Sequence, residues 1–110
     1  MMLSTDIWVA ALIRRVELGG GFAAVERKGD ARAGSVLVKV LNRPEGTAKL
    51  YAEATRGDGE RVWMRPHGSD QEVELDRYIE RAVRVDPDIW IVEVDDNEGR
   101  HFLTEPVEGD

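Results

Sequence analysis

The sequence predicts an α+β fold, a mostly antiparallel sheet of about five or six strands with two helices packed on one face. Apolar residues first recur at helical spacing, then alternate with polar residues as in strands, and return to helical spacing after residue 70. The chain has 110 residues without a long linker or an internal repeat. We therefore expect one domain over residues 1–110.

The first helix is expected over residues 6–19. Its apolar residues cover most of the helix circumference, so the helix should be largely buried, with Trp8 in the core. A polar residue within 4–6 is suited to cap its first amides. The glycines at 19–21 are suited to end it.

After residue 21 the apolar period changes to two, which predicts strands. In the third of these, alanines and Leu50 are expected to face the core while Tyr51 faces outward. Turn residues separate the strands, and Pro66 ends the last of them. The expected strands cover residues 22–28, 36–41, 48–54 and 61–65.

Residues 69–72, Ser-Asp-Gln-Glu, match a capping box, so a second helix is expected to begin there and to stop before Pro87. Residues 89–95 are apolar on both sides of the alternation, which indicates a strand with both faces covered. A short antiparallel strand is expected at 100–103. The order is helix, four strands, helix, two strands.

Composition excludes several classes of protein. The chain has no cysteine, so disulfides, thiolate zinc sites and cysteine nucleophiles are excluded. No apolar run is long enough to span a membrane, and Asp6 follows Met1 and Met2 where a secretion signal would be basic, so we expect a cytoplasmic protein.

The formal net charge of −7 makes nucleic acid an unlikely partner, because binding to phosphates relies on lysine and arginine. A local basic strip is the alternative that the charge leaves open. Its members would be Arg27, Lys28, Arg32, Lys39, Arg43 and Lys49.

Acid–base chemistry at neutral pH would most naturally use one of the two histidines. If the fourth and fifth strands run parallel, His67 should approach Asp95 and His101 at one rim of the sheet. If they run antiparallel, His67 should instead approach Asp86 and Asp88. The rim cluster would be the site of a small metal-assisted hydrolase. We predict no cofactor and no metal site, since neither histidine lies in a ligand motif.

A candidate protein interface is formed by Trp63 and Arg65, which share one face of the fourth strand. The alternative is a Trp63 packed beneath a helix, with the stem of Arg65 over the core. The interface would serve a protein partner or a homodimer. Weaker binding candidates are Asp86, Asp88 and Arg100.

Several segments together resemble a family of small bacterial proteins, domain of unknown function 1491. The Asp-Pro-Asp-x-Trp segment at 86–90 is the most specific part of the likeness. The resemblance implies a stand-alone bacterial cytoplasmic domain and carries no activity, cofactor or catalytic residue. Our first interpretation of the function is a non-enzymatic interaction module, and the alternative is the small metal-assisted hydrolase. The segments that carry the resemblance are 6–15, 34–39, 61–65, 78–81, 86–93 and 99–102.

Overall fold

The computed structural model describes residues 3–109. Met1 and Met2, on which the expected absence of a secretion signal partly rests, lie outside the described residues, as does Asp110. Two helices and six strands form within residues 3–109. In chain order they are α1 (Thr5–Leu18), β1 (Phe22–Arg27), β2 (Val36–Asn42), β3 (Thr47–Thr55), β4 (Arg61–Met64), α2 (Glu72–Val85), β5 (Trp90–Asp95) and β6 (Val107–Glu108).

The strands of the described chain form one six-stranded sheet in the order β1-β5-β2-β3-β4-β6. The pairs β1–β5, β2–β3 and β3–β4 are antiparallel, whereas β2–β5 and β4–β6 are parallel. The predicted α+β class is confirmed, and the sheet is mixed. β4 and β5 run in the same direction, but β2 and β3 lie between them.

The two helices pack on opposite faces of the sheet, so the expectation that both lie on one face is wrong. Val38 of β2 packs in the α1 core, while its neighbour Leu37 packs with Leu75 of α2 on the other side. The central strands are apolar on both faces, and both faces must be covered to remove them from water. Tyr51, expected to face outward, is only 1% exposed in the α1 core.

Backbone carbonyls of the loop after β1, rather than a side chain, cap α1. The amide of Thr5 donates to the carbonyl of Arg32 at 3.2 Å, and that of Asp6 donates to Ala31 at 3.0 Å. These bonds satisfy amides that otherwise lack a partner at a helix start. α2 begins at Glu72, later than the capping box predicts, because the Ser69 hydroxyl accepts the Gln71 amide at 3.0 Å in a local turn.

The expected strand at 100–103 is absent, and the chain from residue 100 to 109 forms a strap across the α1 core, which we call the C-terminal strap. Phe102 has φ +60°, incompatible with a strand. The final strand is instead β6, which pairs parallel with β4. The amide of Trp63 donates to the carbonyl of Pro106 at 2.8 Å and ties the strap to β4.

Candidate functional site

The predicted exposed pair of Trp63 and Arg65 does not exist. Trp63 is 0% exposed and stacks on Trp8 of α1, so it cannot contact a partner. Arg65 is half-buried, and its Nη2 donates to the carbonyl of Ser69 at 3.2 Å. The buried alternative is the one observed.

Glu105 of the C-terminal strap binds both of the stacked tryptophans. Its carboxylate accepts hydrogen bonds from Nε1 of Trp63 at 3.0 Å and from Nε1 of Trp8 at 3.3 Å. Burial opposes the charge, but the hydrogen bonds from Trp63, from its own backbone amide and from Trp8 prevail, and they lower the pKa of Glu105. The charge is therefore part of a structural clamp.

The structure separates the histidines of the proposed rim. His67 contacts Tyr78 of α2, whereas His101 contacts Tyr51 in the α1 core, on the opposite face of the sheet. Asp95 ends β5, three strand spacings or about 14 Å from β4. The Nδ1 atoms of His67 and His101 accept backbone amides two residues ahead, at 3.2 and 2.9 Å. Both histidines are thus turn residues.

Asp86 and Asp88 precede β5, while Arg100 follows it, so a strand of about 20 Å separates these candidates. Asp86 accepts the amide of Asp88 at 3.0 Å. Arg100 binds the buried carboxylate of Asp96 through Nε at 3.0 Å and Nη2 at 2.9 Å. Arg100 also donates to the carbonyl of Gly19 at 2.9 Å. The structure does not bring the three candidates to one site.

The Asp-Pro-Asp-x-Trp segment anchors the loop between β1 and β2. The carbonyl of Asp88 accepts the amide of Asp30 at 2.9 Å, and Trp90 Nε1 donates to the carbonyl of Asp30 at 2.7 Å. A Cβ at Gly29 would lie 2.1 Å from the carbonyl oxygen of Asp88, so only glycine permits this approach. The most specific segment of the family resemblance therefore has a structural role.

Lys39 is the one buried lysine among the described residues, and it organises the α2 face. Its Nζ donates to Glu72 and Asp76 of α2, both at 2.8 Å, and lies 3.3 Å from Glu93 of β5. Burial opposes its charge, but these hydrogen bonds prevail and raise the pKa of Lys39. Lys39 is thus not part of an exposed basic strip. The sequence contained a signal, because a lysine within an otherwise apolar strand must be paired when buried.

An open groove lies beside this cluster. On the α2 face of the sheet, α2 lies closest to β3. β5 is still mostly covered there, since Ile91 is 4% exposed, whereas β1 at the sheet edge leaves Phe22 63% exposed. The groove has a volume of about 600 Å³. It is lined by Glu26 and Arg27 of β1, Lys39 of β2, Ile91 of β5, and Asp76, Ile79, Glu80, Val83 and Arg84 of α2.

The groove combines an apolar base with charges of both signs, since its lining holds three carboxylates and three cations. Ile79, Val83 and Ile91 supply the apolar part. Of the cations, Arg27 is held by the carbonyls of Pro87 and Ile89 at 2.8 and 3.0 Å. The cations are Arg27, Lys39 and Arg84, while the carboxylates in or beside the groove are Glu26, Glu72, Asp76, Glu80 and Glu93.

Glu93 and Glu26 interact across the base of the groove. Burial, and then the charge of Glu26, raise the pKa of Glu93, against the opposing effect of Lys39. Glu93 retains 21% of its side-chain exposure. The lysine therefore only partly neutralises this end of the groove. Sequence analysis missed the groove, because its walls come from α2 and from strands far apart in the chain.

Residues 3–109 contain neither a metal-binding cluster nor a membrane-spanning helix. No group of three or more histidine, cysteine or acidic side chains comes together there in a geometry that would hold a metal ion. No helix in this part of the chain has the length and apolar character needed to cross a bilayer.

One family is named both by the matching family model and by two similar solved structures. The family model described as "Protein of unknown function (DUF1491)" matches residues 3–104. A crystal structure of a DUF1491 family protein from Caulobacter crescentus CB15 has a TM-score of 0.96 and 72% identity, over 97% of this chain and 100% of that one. An NMR structure of a DUF1491 family protein from the same organism has a TM-score of 0.93 and 72% identity, over 99% of each chain.

A more distant structure has the same fold. The solution structure of protein Atu0922 from A. tumefaciens has a TM-score of 0.83 and 34% identity, over 100% of this chain and 99% of that one. No curated protein matches the chain. The family match and the near-complete structural coverage lead to one conclusion, that this chain belongs to the DUF1491 family.

Proposed function

We propose that this chain is a non-enzymatic cytoplasmic module that binds a segment of another protein in the groove beside α2. The observation that carries the proposal is the groove between α2 and β1, where α2 lies closest to β3 and β1 at the sheet edge leaves Phe22 63% exposed. A monomeric domain normally covers such apolar surface. A segment of a partner would fill the groove.

The dimensions of the groove suit a protein segment. The strip from β5 to the free edge of β1 spans two strands, about 10 Å, close to the width of one helix or of one extended segment with its side chains. Phe22 lies on the same face at the end of β1 and is 63% exposed, and Val73 of α2 is 57% exposed. They would add apolar contacts to those of Ile79, Val83 and Ile91.

Charge favours a basic segment as the occupant. The lining cations Lys39 and Arg27 are already bound to carboxylates or carbonyls, whereas no described ion pair includes Glu26 or Glu80. The whole chain has a net charge of −7. Opposite charge speeds association and selects against acidic partners. A second copy of this acidic chain would bring like charge to the groove, so we assign the groove to a different protein.

Selection from a displayed library of random twelve-residue peptides tests the proposal. We expect enriched peptides to bind the wild-type chain, and to bind at least about tenfold more weakly to Glu80→Arg, which reverses a charge at the groove. Glu17→Arg is the matched control, since Glu17 is exposed on α1 across the sheet. Circular dichroism would establish that both variants are folded.

Two results would contradict the proposal. One is a library that yields no peptide sensitive to Glu80→Arg. The other is a dimer in light scattering that Glu80→Arg dissociates while Glu17→Arg does not, because a second copy would then occupy the groove. We expect a monomer.

A further inference from the structure

We infer that the bound segment joins the sheet as an added strand along β1 and places a lysine or arginine side chain toward Glu26 and Glu93. This inference rests on the proposed function and specifies how the groove selects its partner. It is carried by the continuity between the open groove and the unpaired edge of the sheet.

β1 is available for strand addition because it lies at one end of the sheet. It pairs with β5 alone, so its other side presents backbone donors and acceptors that the described sheet does not use. Val25 on this strand is 40% exposed and Phe22 is 63% exposed. Main-chain hydrogen bonds to such an edge supply affinity without a sequence requirement.

The usable edge is short and closed at one end. The register of β1 on β5 shifts between Val25 and Arg27, which marks a bulge. Pairing is therefore confined to Phe22–Val25, so we expect a segment with about four ordered residues.

Alternation decides which side chains of the segment meet the groove. Ala23 packs in the α1 core, so its neighbours Phe22 and Ala24 face the α2 side, as does Glu26 of the groove. Every second side chain of an added strand would project to that same side. Its apolar side chains would lie beside Phe22 and Ala24.

A long cationic side chain fits the remaining position. An added strand would lie about 10 Å from β5, two strand spacings away, and lysine and arginine carry their charge at the end of long stems. The Nζ of Lys39 lies 2.8 Å from carboxylate oxygens of Glu72 and Asp76 but 3.3 Å from that of Glu93. No described ion pair includes Glu26. A second cation would complete this arrangement.

Synthetic versions of the selected peptides test the inference by calorimetry. For each peptide, two versions carry N-methyl groups on alternate amides, so that only one version blocks the amides facing β1. We expect that version to bind about tenfold more weakly and the other to bind nearly as the parent does.

Replacing the lysine or arginine by glutamine, or Glu26 by glutamine in the protein, should weaken binding about fivefold. Glu17→Gln should have no effect.

The outcomes separate this inference from the proposed function. Peptides that depend on Glu80 but tolerate both N-methylation patterns, or that carry no basic residue, would overturn the added strand or its cation and leave groove binding intact. Peptides that ignore Glu80 would overturn both.

Discussion

The indole rings of Trp8 and Trp63 stack with their centroids 5.2 Å apart and their planes at 26°. The stack joins α1 to β4, and Glu105 binds the Nε1 atoms of both rings from the C-terminal strap. Three segments distant in sequence therefore meet at two aromatic side chains. The aromatic surface that sequence analysis assigned to an interface is used to hold the core together.

Trp8→Ala should lower the free energy of unfolding by about 3 kcal/mol or more, because it leaves a cavity beneath α1 and removes the stack. Urea unfolding followed by far-ultraviolet circular dichroism measures the loss. Ile7→Ala is the control on the same helix; Ile7 is 55% exposed, and its loss should stay within about 0.5 kcal/mol. Equal effects of the two substitutions would contradict the packing of α1.

Glu105→Gln should destabilise the protein by about 1 kcal/mol at pH 7, because an amide accepts the indole hydrogen bonds less strongly than a carboxylate. The pKa of Glu105 is lowered in the folded state, so its charge stabilises the protein above the unfolded pKa and ceases to do so as the pH falls through the folded pKa. The difference between variant and wild type should shrink as the pH falls through the folded pKa and disappear below it. A difference independent of pH would exclude the charged clamp.

Glu53→Gln should have the opposite effect to Glu105→Gln and raise the free energy of unfolding at pH 7. Burial raises the pKa of Glu53 despite Arg61 and the amide of Val36, so its ionised form opposes folding above the folded pKa. The cost disappears as the pH falls below the unfolded pKa. We expect the variant to be the more stable protein at pH 7, with the advantage vanishing in acid. Denaturation at several pH values measures it, and a less stable variant at pH 7 would refute this prediction.

Lys39→Met should lower the free energy of unfolding by about 2 kcal/mol, since it leaves Glu72, Asp76 and Glu93 near one another without their cation. Methionine keeps a side chain of similar length and apolar packing, so the substitution measures the loss of the charge rather than the loss of packing. Lys28→Met serves as the control, because Lys28 is exposed. Stability equal to that of the control would show that the cluster contributes nothing.

The order and limits of most elements were predictable, because they follow from local periodicity. The alternation in β2 and β5 fixed those strands, and a helix around Leu75 followed from its apolar stripe. The opposite placement of the helices was also encoded, since β2 and β5 are apolar on both faces. A sheet whose central strands are apolar on both faces needs a helical layer on each side.

The C-terminal strap and the groove could not be read from local pattern. Phe102 is held in its positive-φ conformation by partners far along the chain, among them Arg15, whose Nε donates to its carbonyl at 3.1 Å. The groove exists because α2 lies toward β3, a position set by packing over the whole face. Strand order, which decides these contacts, depends on pairings distant in sequence.

The most direct test of groove binding is chemical-shift mapping of ¹⁵N-labelled protein with a library-selected peptide. The account predicts that shifts concentrate at Glu26, Val83 and Ile91 and along Phe22–Val25, and that Glu80→Arg weakens them while Glu17→Arg does not. Shifts confined to the α1 face, or a response equal in both variants, would contradict it.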